Sequence, residues 1–177
     1  AMYRKHMAPE RYAEEFETES ERVVRLVDSD GDGEADESTV FATGFDDPAA
    51  GIGAGLLTEM LPDGGVKVWF TCIPDMWELV DADGDGVAER RDRHSTGYGL
   101  RVALLGHDLH GPVIGPYGRL YFSMGDRGFN VETPEGERLV RLGTGAIFRC
   151  ELDGSGLEVF CDGLRNPQEI VFDEAGN

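Results

Sequence analysis

The sequence predicts an all-β fold, about three blades of a β-propeller, and two observations carry that expectation. The acidic loop Asp28-Ser-Asp30-Gly-Asp32-Gly33-Glu34-Ala-Asp36 returns as Asp81-Ala-Asp83-Gly-Asp85-Gly86-Val87-Ala-Glu89, a shift of 53 residues from 28 to 81. The segments flanking each loop are short, rich in β-branched residues and bounded by turn formers, which is strand composition. They are residues 22–27 (RVVRLV) and 38–43 (STVFAT) around the first loop, and 76–80 (MWELV) and 93–97 (RHSTG) around the second. The loops therefore belong to β-hairpins, not to helix pairs.

The repeat continues outside the loops. Thr43-Gly44 recurs as Thr96-Gly97, and Asp162-Gly163 holds the equivalent place a third time. The turn at 61–64 (LPDG) before 66–70 (VKVWF) recurs at 115–118 (GPYG) before 119–123 (RLYFS), and more loosely at 172–176 (FDEAG). A third hairpin, 146–152 (AIFRCEL) to 157–161 (LEVFC), keeps only Asp153-Gly-Ser-Gly156 where the acidic loop would be. Two hairpins per roughly 50-residue unit is the pattern of a propeller blade, with approximate units at 22–75, 76–126 and 127–177. Propellers close with roughly four to eight blades, so three units predict a partial propeller whose other blades lie outside this stretch. Residues 1–21 stand apart: 9–16 (PERYAEEF) combine helix formers with a proline suited to a first turn, which predicts a short surface helix followed by an acidic segment.

Both acidic loops place carboxylates at positions 1, 3, 5 and 9 with glycine at 6, the order in which an EF-hand-type loop wraps oxygens around calcium. The candidate ligands are Asp28, Asp30, Asp32 and Asp36 in one loop, and Asp81, Asp83, Asp85 and Glu89 in the other. Position 12 is Thr39 or Asp92, so the bidentate glutamate of an EF-hand is absent. An ordinary empty turn is the competing reading. Sixteen basic against 35 acidic residues give a net charge of −19, which excludes nucleic acid and anionic membrane as natural partners. No run approaches the roughly 18 apolar residues that a membrane span needs, and no signal peptide is visible in this stretch. Weak calcium loops belong to calcium-rich compartments, so the expected setting is periplasmic or extracellular.

Three loops lead into innermost strands: 44–48 (GFDDP), 106–112 (GHDLHGP) and 163–168 (GLRNPQ). The first hairpin of a blade returns the chain to its starting end, so His107 before it and Asp126 after it should lie together. The acidic loops, joining third and fourth strands, should lie at the opposite end. His107, Asp126, Arg165 and Asn166 then bring imidazole, carboxylate, guanidinium and amide to one place, a set suited to general-base chemistry with an anionic partner. Each also has a structural reading: His107 and His110 as hydrogen-bonded loop histidines, Asp126 as a turn former, Arg165-Asn166-Pro167 as a solvated turn. Counting outward from Ser155-Gly156 sets Cys150 opposite Cys161, so a disulfide and a pair of free buried thiols both stay open, with Cys72 unpaired.

His107, Ile114-Gly115-Pro116, Leu120-Tyr121, Gly125-Asp126 and 163–168 (GLRNPQ) together resemble the glucose/sorbosone dehydrogenase family, six-bladed propellers related to soluble quinoprotein glucose dehydrogenase. Within it the chain looks closest to the propeller module of large PVC-type haem-binding proteins described as membrane-bound dehydrogenases. The resemblance covers roughly 22–177. It implies that His107 takes a proton from a sugar or alcohol hydroxyl while hydride passes to pyrroloquinoline quinone, that Asp126 orients His107, and that Arg165 and Asn166 hold the quinone's oxygens. It also implies an electron-accepting cytochrome domain carrying haem c elsewhere in the full-length protein, since no CxxCH motif stands in this stretch. Two departures mark the chain: Gly106 replaces an acid before the histidine, and the segments holding the quinone's own calcium would lie beyond Asn177. The rival classes are a non-catalytic propeller that binds carbohydrate or protein, and a calcium-dependent lactonase using Asp46, Asp47 and Asp126.

Overall fold

The computed structural model describes residues 21–45, 52–99 and 106–176. The expected helix at 9–16 and the candidate ligands Asp46 and Asp47 lie outside them. The described chain is nearly all β, with antiparallel pairing throughout and one 3-10 turn, Pro116–Gly118.

Twelve strands are described: β1 (Val23–Val27), β2 (Glu37–Ala42), β3 (Gly53–Met60), β4 (Val66–Cys72), β5 (Asp75–Asp81), β6 (Arg90–Thr96), β7 (Leu109–Ile114), β8 (Leu120–Met124), β9 (Phe129–Glu132), β10 (Arg138–Arg141), β11 (Gly145–Cys150) and β12 (Glu158–Leu164). They form a β1-β2 hairpin, a four-stranded sheet β3-β4-β5-β6, a four-stranded sheet in the order β7-β8-β11-β12, and a β9-β10 hairpin. The 53-residue shift holds from β2 to β6 (37 to 90) but widens to 70 residues from β5 to β11 (75 to 145), and the sheets are cut at a different phase from the sequence units: β3 to β6 straddles the boundary between the first two. The β9-β10 hairpin has no counterpart in the sequence reading. It is inserted between β8 and β11, and Phe129 and Val131 carry it into the core.

Alternation explains the layering. In β4, Val68, Phe70 and Cys72 face the β1-β2 hairpin, packing with Val23, Phe41, Phe45 and Leu79. Trp69, between them, faces the other way into a second core with Ile73, Met76, Tyr98, Phe122, Met124, Phe129 and Phe148. The sheet is thus covered on both faces, and its central strands read as apolar runs on that account. Phe122 and Phe148, paired in register across β8 and β11, stack at 5.3 Å and 11°. Outer strands are polar instead: Arg90, Arg91, Asp92 and Arg93 of β6 are exposed, as suits an edge that must not pair with a stranger.

The cysteine pairing is corrected. Arg149 pairs with Glu158, which centres the hairpin on Asp153-Gly154 and not on Ser155-Gly156, and with a further register shift between Ile147 and Phe148 Cys161 stands opposite Ile147. Cys150 faces the core with Ala146 and Phe148, so Cys161 belongs to the opposite face of the sheet. None of the three cysteines forms a disulfide.

Candidate functional site

His107 precedes β7 and Asp126 follows β8, and the β7-β8 hairpin brings them together. Nδ1 of His107 lies 2.6 Å from Oδ1 of Asp126, with the side chains 21% and 35% exposed. The hydrogen bond to His107, reinforced by the charge of Arg165, holds the Asp126 carboxyl below its ordinary value. An ionised carboxylate can only accept, so Nδ1 carries a hydrogen, and in the neutral imidazole Nε2 then keeps the lone pair. That tautomer is the one a general base requires.

The surrounding backbone is tight. A Cβ on Gly125 would stand 2.7 Å from the His107 carbonyl and 2.8 Å from Oδ1 of Asn166, closer than a side chain tolerates, so glycine is required before Asp126. Nδ2 of Asn166 donates to the Gly106 carbonyl at 3.4 Å, and its buried Oδ1 has no partner among the described residues. This amide ties the 163–168 loop to the histidine loop and is turned away from solvent. Arg165 is exposed beside the dyad. Of the two residues expected to hold a quinone, Arg165 is thus exposed and Asn166 partly buried. Buried His110 sits beneath the loop, its Nε2 3.1 Å from the Gly106 carbonyl, which makes it a loop-fixing residue.

The acidic loops join β1 to β2 and β5 to β6. The second packs against the 61–65 turn, where Gly84 approaches the Gly64 carbonyl. In its own sheet it thus lies at the end where β3 turns into β4, whereas in the neighbouring sheet His107 and Asp126 lie at the end away from the β7-β8 turn. Asp81, Asp83, Asp85 and Glu89 each offer an oxygen within 4.8 Å of the others. Calcium–oxygen distances of about 2.3–2.6 Å put opposite ligands about 5 Å apart, so the cluster has the dimensions of such a shell. In the first loop Asp28, Asp30 and Asp36 converge. Asp32, expected as its fourth ligand, is not among them; its Oδ1 accepts the Glu34 amide at 2.8 Å.

The sequence reading missed the ion pair directly beside the dyad, Asp108 with Arg127. Its signal was available, because these residues follow His107 and Asp126 and repeat their spacing of 19.

A family model described as "Domain of unknown function (DUF7133)" matches residues 3–177. The chain belongs to the DUF7133 family. No curated protein and no solved structure matches it.

Proposed function

We propose that this DUF7133 chain is part of a six-bladed, calcium-stabilised β-propeller that oxidises a sugar or alcohol hydroxyl, with His107 as the general base. The single observation that supports it most is the 2.6 Å contact of His107 Nδ1 with a carboxylate held in its ionised form. Asp126 fixes the imidazole's orientation and tautomer. Nε2 accepts the hydroxyl proton as the carbon-bound hydrogen leaves as hydride, and Arg165 stabilises negative charge developing nearby. Pyrroloquinoline quinone, when bound, would supply the hydride acceptor, and Arg165 is the described side chain able to meet its oxygens. Calcium on the acidic loops stiffens the hairpins at a distance from the base. The setting is periplasmic or extracellular, with electrons passing to a cytochrome domain.

The test is quinone-dependent oxidation of a panel of sugars and alcohols by the full-length protein. Activity should fall by about 10²–10⁴-fold in His107→Ala, and activity that survives undiminished refutes the base. A second reading, a carbohydrate- or protein-binding propeller, draws support from Asn166, whose amide is engaged inside the loops. Binding of an oligosaccharide with no turnover of any panel member would favour it.

A further inference from the structure

Beneath the His107–Asp126 pair lies a second one. Asp108 bonds through Oδ1 to Nη1 of Arg127. The two pairs connect the same two loops, and the Gly125 amide donates to the Asp108 carbonyl at 3.0 Å, so they form successive rungs between 106–108 and 125–128. They differ in depth. Asp108 and Arg127 side chains are 5% and 12% exposed, against 21% and 35% for His107 and Asp126. The exit of the first sheet closes over the inner rung: a Cβ on Gly99 would stand 3.3 Å from Cζ of Arg127, and the Gly99 amide donates to the Gly128 carbonyl at 2.8 Å.

A buried ion pair contributes little net stability, because desolvation offsets most of its attraction, but it fixes the distance and direction of its partners. We propose that Asp108 and Arg127 are positioning residues, an inner ion pair that sets the register of the two loops so that His107 and Asp126 meet at hydrogen-bonding distance. Its purpose rests on the reading of His107 as a base, but its geometry can be measured without turnover. With side chains 5% and 12% exposed, Asp108 and Arg127 act through the dyad and not by touching a ligand.

The experiment follows the Asp126 carboxyl by carbon NMR through a pH titration of the full-length protein, with Asp126→Asn identifying the resonance. In the parent protein Asp126 should titrate below the ordinary carboxylate range. In Arg127→Met and in Asp108→Asn the midpoint should rise into that range while far-UV circular dichroism keeps its strand signal, and Arg127→Lys should hold it part-way. Should Arg127→Met fail to fold, Asp108→Asn decides, since it preserves side-chain shape. A midpoint that stays depressed in a folded Arg127→Met or Asp108→Asn overturns the proposal. A parent protein with a depressed Asp126 midpoint but no turnover would instead count against the dehydrogenase reading alone.

Discussion

Asp81 repeats the bonds of Asp28 atom for atom. In each, Oδ1 accepts the amide three residues on at 2.7 Å and Oδ2 the amide five residues on at 2.9 Å, Gly31 and Gly33 in one case, Gly84 and Gly86 in the other. The surroundings differ, since Asp81 is buried and Asp28 is exposed.

Metal removal should expose that difference. Chelation of calcium should lower the melting temperature of the full-length protein, because four clustered carboxylates left uncompensated repel one another. Asp81→Asn should cost about 1–3 kcal/mol, through loss of one of its two backbone bonds, or roughly 2–12 °C for a chain of this size. Asp28→Asn should cost less. Identical melting curves with and without chelator would remove calcium from the account.

Acid should loosen the first loop in a defined window. Asp28 is held below its ordinary 3.8 by the amides of Gly33 and Gly31, and Asp36 by the hydroxyl and amide of Ser29. A folded-state value below the unfolded one gives stabilisation that is complete above 3.8 and disappears as pH falls through the depressed value. In metal-free protein, the amide resonances of Gly31, Gly33 and Ser29 should therefore shift with midpoints below 3.8. Midpoints at or above 3.8 would mean that these bonds are not formed in solution.

Thiol chemistry should separate the cysteines. Burial first, with nearby acidic charge, pushes Cys72 up to about 12, and burial likewise pushes Cys150 to about 12, so neither offers thiolate near neutral pH. Cys161 is only half-buried. A native-state maleimide reaction should label Cys161 alone, and denaturation should release all three. A Cys150–Cys161 disulfide found by mass spectrometry would contradict the register.

What the sequence made legible was mostly local. The acidic loops close on their own amides, so residue order alone dictated their shape, and the short return of the β7-β8 hairpin placed His107 beside Asp126. The β9-β10 hairpin was hidden because only Phe129 and Val131 alternate over a four-residue strand, amid glycine, proline and charge. The register that set Cys150 opposite Cys161 failed at its starting point, because Arg149 pairs with Glu158 and so centres the hairpin on Asp153-Gly154 instead of Ser155-Gly156, with Phe160 bulged out further along. Asn166 turned inward for a tertiary reason, a carbonyl 60 residues away.

The dyad's carboxylate supplies the last prediction. Asp126→Asn keeps the shape and one acceptor oxygen but adds an amide that can donate to Nδ1, favouring the tautomer with hydrogen on Nε2. Such an imidazole presents a donor where the proposed base needs a lone pair. Oxidation rate should fall by about 10²–10⁴-fold, with KM little changed because Asp126 acts through His107 and leaves substrate binding alone. Stability should barely move, since the carboxylate lies at the surface end of the rung and the inner Asp108–Arg127 pair persists. A variant with wild-type turnover would show that the 2.6 Å contact serves the loop and not the chemistry.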